Sequence, residues 1–220
     1  MTLNVEIQGP GYFGGNGSSN ATILETSIRP SGLGVRAGGF ALKGNLDGVG
    51  PIENFTAWCL DIATYLNLSS TYTATATATP FASGALSFLQ ISNIEQLFET
   101  GLKNLTLGNN AQSTGFQLAL WEVFYEQSGT FNLAVGNFRA TNSTNAIAAA
   151  QALLLGMSGP LNQSYDLTFL QSNDPRNTHD GHFSQHLVTV TAVPLPAGGV
   201  LLLAGLGALP TLRRRATKAA

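Results

Sequence analysis

The segment STGFQLALWEVFYEQ, residues 113–127, repeats its apolar residues at helical spacing. Gln117, Trp121 and Tyr125 fall in one row of such a helix, and Phe116, Leu120 and Phe124 in the adjacent row. An amide on that otherwise aromatic and aliphatic seam needs hydrogen-bond partners if it is buried. A cap at Ser113 or Thr114 would put Gln117 in the first turn, where backbone N–H groups are unpaired. Outward from this helix, Leu86, Leu89, Ile94, Leu97, Phe98 and Leu102 keep the same period, and an Ala-rich helix over 145–156 follows a cap at Ser143 or Thr144. The flanks read differently. LNVEI, ATILE, GLGVRAGGFALKG, FTAWCLDI and TYTATATAT before residue 80, and LNQSYDLTFL and SQHLVTVTA after residue 160, are short, β-favouring and separated by turn residues. The expected fold is α+β, a sheet within residues 1–192 interrupted by a helical insert at about 84–157.

Hydrophobic residues make up 44% of the 220, enough for one sizeable core, and charged residues only 10%, well below the usual quarter or so. That balance resembles secreted β-rich surface proteins. The formal charge of −2 conceals an asymmetry, because four of the ten basic residues lie at 213–218 and leave residues 1–196 at −6. Such a body has no basic patch for nucleic acid, and that class of partner is excluded.

The lone cysteine, Cys59, lies in FTAWCLDI at 55–62 and cannot close an internal disulfide. WCLD at 58–61 and FQLALW at 116–121 resemble the two signatures of bacterial surface thioester domains. The resemblance implies a β-sandwich or barrel with a helical subdomain, in agreement with the order read from periodicity. It also implies a thioester between the Cys59 sulfur and the Gln117 side-chain carbonyl, used to bond covalently to amine-bearing targets. In that chemistry the thiolate is the nucleophile and the amide loses ammonia. An amide is a poor electrophile, so the pair must be held together with water excluded by neighbours such as Trp58, Phe116 and Trp121. Such an event is single-turnover, so the chain is not expected to be an enzyme, and no cofactor is expected. A second reading stays open, in which the chain is a non-covalent structural protein of the envelope or biofilm matrix and Cys59 is a small buried hydrophobe.

The C-terminus reads VPLPAGGVLLLAGLGALPTLRRRATKAA, with 16 uncharged residues at 197–212. At about 1.5 Å per helical residue they reach roughly 24 Å, short of a bilayer core of about 30 Å. Val193, Pro194, Leu195, Pro196 and Ala197, the apolar run and Arg213, Arg214 and Arg215 resemble the VPLPA variant of the PEP-CTERM sorting signals of Gram-negative bacteria. The resemblance implies an exosortase-type transpeptidase as partner, transient anchoring of 197–212 in the inner membrane, and delivery of the body to the cell surface or extracellular matrix. The start, MTLNVEIQGPGYFGG, has neither a basic n-region nor an apolar h-region, so a leader is expected upstream of it.

Other groups have the right chemistry without a supporting pattern. Asp61, Tyr65, Glu122 and Tyr125 are proton-transfer candidates by type; Asp61 reads equally as a turn residue and Glu122 as a solvated helix charge. His179, Asp180, His182 and His186 have metal-ligand types, but their spacing matches no closed ligand set, and a polar loop with no metal is expected. A Cys59–His186 hydrolase lacks a helix start after Cys59, where Leu60, Asp61 and Ile62 read as continued strand.

Overall fold

The computed structural model describes residues 2–7, 11–45, 51–62, 66, 71–75, 86–126, 129–158, 161, 164–172 and 184–193. The β-favouring segments fold as β1 (Thr2–Ile7), β2 (Ser19–Glu25), β3 (Arg29–Ala37), β4 (Phe40–Gly44), β5 (Glu53–Cys59) and β6 (Thr71–Thr75). The three helical periods become α1 (Phe88–Gly101), α2 (Asn110–Tyr125) and α3 (Thr144–Leu155), with β7 (Phe138–Thr141) between the last two. The chain then returns to β8 (Tyr165–Ser172) and β9 (Leu187–Ala192).

Six strands close an antiparallel barrel in the order β1-β4-β5-β9-β8-β6, and β3-β2-β7 form a separate antiparallel sheet. The barrel alternative is therefore the correct one. The helical insert is not purely helical, since β7 leaves it to pair with β2 from Thr22↔Thr141 to Glu25↔Phe138. GLGVRAGGFALKG, read as one strand-like run, divides at Gly38 and Gly39 into strands of different sheets. The division follows from close packing: a Cβ on Gly38 would lie 2.5 Å from the Gly17 carbonyl oxygen, and one on Gly39 would lie 2.7 Å from Thr56 Cγ2. Only glycine lets the chain pass there.

α2 is buried on all sides from Ser113 to Val123, wedged between the barrel, the small sheet and α3. Its contact with α3 is a close one. A Cβ on Gly115 would fall 2.8 Å from Ala149 Cβ and 2.9 Å from the Ala146 carbonyl oxygen, so Gly115→Ala is expected to cost about 1–3 kcal/mol in urea unfolding despite its better helix propensity. The core joins the two halves through a ring cluster, with Trp58 of β5, Phe98 of α1 and Phe116 of α2 at centroid distances of 4.8 to 5.5 Å.

Among the described residues no helix is long and apolar enough to cross a membrane. Val193 donates its N–H to the Ser164 carbonyl at 2.9 Å. Residues 194–220, with Pro194, Leu195, Pro196, Ala197, the apolar run and Arg213, Arg214 and Arg215, lie outside the described residues, as do 76–80, Tyr65, His179, Asp180 and His182.

Candidate functional site

β5 outruns its neighbour. Its pairing with β4 ends at Phe40↔Ala57, whereas on the other side it pairs with β9 through Trp58↔Val188 and Cys59↔Leu187. Leu60 N–H continues toward β9 by donating to the His186 carbonyl at 2.9 Å, so the N–H and C=O of Cys59 face the side where β4 has ended. Gln117 replaces the missing strand. Cys59 N–H donates to Gln117 Oε1 at 2.9 Å, and Gln117 Nε2 donates to the Cys59 carbonyl at 2.8 Å, both buried. Each face of the amide thus finds the partner that its burial requires.

The sulfur meets a different glutamine. Cys59 Sγ lies in hydrogen-bond contact with Gln185 Oε1, and Gln185 Nε2 donates to the Asp61 carbonyl. Gln185 sits two residues before Leu187, opposite the turn that leaves β5, and Asp61 fixes this junction by accepting the His186 N–H at Oδ2, 3.1 Å away. Cys59, Gln117 and Gln185 are all buried. Burial, with the Asp61 charge adding to it, raises the Cys59 thiol well above the ordinary range, so the unreacted group is a neutral S–H. Burial also lowers the His186 imidazole below its usual value, against the opposing pull of Asp61.

Several sequence-based expectations are corrected here. α2 begins at Asn110 with Asn109 as its cap, accepting from Gln112 N–H at 3.1 Å. Ser113 and Thr114 are therefore inside the helix: Ser113 Oγ accepts from Gly39 N–H at 3.0 Å, and Thr114 Oγ1 donates to the Ala37 carbonyl at 2.8 Å. Gln117 lies beyond the first turn, and the helix-start N–H groups are not beside it. Strand β5 stops at Cys59, and Leu60, Asp61 and Ile62 are not strand, although Leu60 adds one more bond toward the β9 side. Tyr125 does share the row of Gln117, accepting the Ile62 N–H at 2.8 Å.

Glu122 is fully buried and not a solvated charge. It accepts the Asn132 N–H at 2.6 Å with Oε1, while Oε2 has no hydrogen-bond partner among the described residues. Burial raises its carboxyl to about 7, the Asn132 bond pulls it down and the Glu126 charge pushes it up. The folded protein thus holds a proton that the unfolded chain releases near 4.5, so this stabilisation is present at low pH and is lost as pH rises through about 7. Glu122→Gln is expected to exceed the wild type by about 1–2 kcal/mol at pH 8, with the gap closing at pH 5, as thermal melts at the two pH values will read.

A cleft of about 560 Å³ opens onto the pair. Cys59, Gln117, Gln185 and Trp121 line it on the barrel and α2 side, joined by Tyr12 and Phe13 of the β1–β2 connection, which lie against β4, and by Arg36 of the small sheet. Trp121 packs on Phe138 at 6.2 Å, and its buried Nε1 has no hydrogen-bond partner among the described residues. Trp58 and Phe116 stand on the core side in the ring cluster described above. Sequence reasoning singled out Cys59, Gln117, Trp58, Phe116 and Trp121, and the structure gathers them; it missed Gln185. The one available signal was a polar Gln-His step at the head of the apolar run LVTVTA. Among the described residues no group of three or more His, Cys, Asp or Glu gathers as metal ligands.

The molecule is thus an antiparallel barrel with a helical lobe, holding a single buried cysteine between two glutamine amides at the base of a cleft. Three solved structures are similar to it over most of their length. The N-terminal thioester domain of a surface protein from Clostridium perfringens, solved as a cysteine-to-alanine variant, shares 13% identity and a TM-score of 0.44 over 79% of this chain and 99% of its own. The N-terminal domain of the Streptococcus pyogenes pilus tip adhesin Cpa gives 14% and 0.40 over 79% and 94%. The N-terminal thioester domain of a protein F2-like fibronectin-binding protein from Streptococcus pneumoniae gives 12% and 0.35 over 86% and 98%. No protein-family model and no curated protein matches the chain.

Proposed function

We propose that this protein is an exported surface adhesin that forms an internal thioester and uses it for covalent attachment to amine-bearing targets. The observation that carries the reading is the buried contact of the Cys59 sulfur with the Gln185 amide at the foot of a cleft. The same contact favours Gln185 over Gln117 as the acyl group, because it sets the Gln185 amide against the sulfur, whereas the Gln117 amide bonds the Cys59 backbone.

The Cys59 sulfur attacks Cδ of Gln185, the thiol proton moves to the departing nitrogen, the C–N bond breaks and ammonia leaves. Gln117 holds the Cys59 backbone, and the Asp61 carbonyl holds the Gln185 nitrogen, which restrains both partners of the reaction. A target amine then attacks the same carbon, the C–S bond breaks, and its proton returns to the sulfur. The products are an amide-linked target and a free Cys59, a single turnover. Sorting by an exosortase-type transpeptidase at Val193, Pro194, Leu195, Pro196 and Ala197, with anchoring through 197–212, fits the same exported role.

The intact mass of freshly purified protein under denaturing conditions tests the reading. A mass one ammonia below the sequence mass, rising by one methylamine on treatment as a thiol appears, is expected. The full sequence mass with Cys59 already alkylatable and no glutamate in place of either glutamine would support the non-covalent structural role instead.

A further inference from the structure

Among the described residues, the lining of the cleft that leads to Cys59 carries a single sign of charge. Among the described residues that line it there is no carboxylate, and Arg36 is the one charged side chain. Arg36 is also held in place. Its Nε donates to Ser18 Oγ at 2.9 Å, and its guanidinium carbon lies 5.6 Å from the centre of the Phe13 ring, which in turn stacks on Phe40 at 5.2 Å. No carboxylate pairs with it among the described residues. The next residue, Ala37, is bonded to Thr114 of α2, one helical turn before Gln117, so the cation and the thioester pair belong to one wall and floor.

An exposed, pre-oriented guanidinium is a fork that matches a carboxylate. Beside an acceptor for amines its effect is selective. A protonated lysine arriving alone meets a like charge and no compensating anion in the cleft. A lysine with a carboxylate next to it brings the anion that Arg36 lacks. At about 560 Å³ the cleft lies within the range of roughly 300–1,000 Å³ that holds a drug-sized ligand, more than one aminobutyl chain fills.

Resting on the thioester reading above, we propose that the partner's reactive group is a lysine flanked by an aspartate or glutamate, with Arg36 binding the flanking carboxylate while the lysine nitrogen attacks the Gln185 carbonyl carbon. Arg36 is a positioning residue in this account, acting on the selection of the amine and not on bond formation within the domain.

The test compares the rates at which the whole chain captures two blocked peptides that differ only in having glutamate or glutamine beside their one lysine, read as covalent adduct by mass. The wild type is expected to take the glutamate peptide about tenfold faster at low salt, with the ratio shrinking in 0.5 M NaCl as screening shortens to about 4 Å. Arg36→Gln is expected to bring the ratio near one, and Arg36→Lys to restore part of it. Equal rates for the two peptides in wild type, with the mass showing an intact thioester, overturn the selectivity while leaving the thioester reading standing. Should Arg36→Gln fold poorly, the salt dependence of the wild-type ratio decides alone, and a ratio that salt does not change overturns the proposal. A full sequence mass with no capture of any amine overturns both.

Discussion

Gln185→Ala is expected to yield a folded protein whose Cys59 titrates as one full thiol under denaturing conditions and whose capture of methylamine falls to the detection limit. The wild-type thiol, sealed in the thioester, should be silent in the same assay until an amine is added. The loss is expected to be complete because, among the described residues, the amide that hydrogen-bonds the sulfur is that of Gln185, while the Gln117 amide bonds the Cys59 backbone. Stability falls as well. A bond between positions separated by 126 residues restricts the unfolded chain as a disulfide does, worth about 3–5 kcal/mol in the chain-entropy account. Methylamine treatment of the wild type breaks the same cross-link and should lower its melting temperature by a similar amount, which separates loss of the bond from loss of the side chain.

Gln117→Ala should act by another route. It removes the donor and the acceptor that satisfy the Cys59 backbone where β4 no longer reaches, leaving a buried N–H and a buried C=O without partners. At about 1–3 kcal/mol for each such group the expected cost is roughly 2–5 kcal/mol, a large share of the 5–15 kcal/mol that holds a domain together. Gln117→Glu keeps the acceptor for Cys59 N–H and loses the donor, so it should fall between alanine and wild type in a denaturant midpoint. If Gln117 were the acyl group, both variants would leave Cys59 free in every molecule; under the present account a thioester to Gln185 persists in the fraction that folds.

The distinction between the two glutamines marks where the sequence stops being legible. The helical rows of 113–127 and the burial of Trp121 follow from local periodicity, the meeting of WCLD with FQLALW was implied by the motif resemblance, and the structure contains all three. The α+β class was legible for the same reason, since strand and helix periods are local properties, whereas the choice of barrel over sandwich rests on pairings between distant strands. Gln185 was not. Its contact with the Cys59 sulfur depends on the register Cys59↔Leu187 between strands far apart in the chain, and a glutamine before a strand looks like any loop residue until that register is known. Glu122 misled for the opposite reason: a charge on an apolar helix reads as solvated, but α3 and the small sheet close over α2 and leave no solvent face. The cap at Asn109 was missed because Ser113 and Thr114, better placed by pattern, are drawn instead to the backbone of the β3–β4 corner.

The most direct measurement is tandem mass spectrometry of peptides from protein treated with methylamine and then digested. The account predicts a methylamide on Gln185 and an alkylatable Cys59, with Gln117 unmodified. A methylamide on Gln117 would contradict the assignment of the acyl group, and unmodified glutamines at both positions beside a thiol free from the outset would contradict the thioester itself.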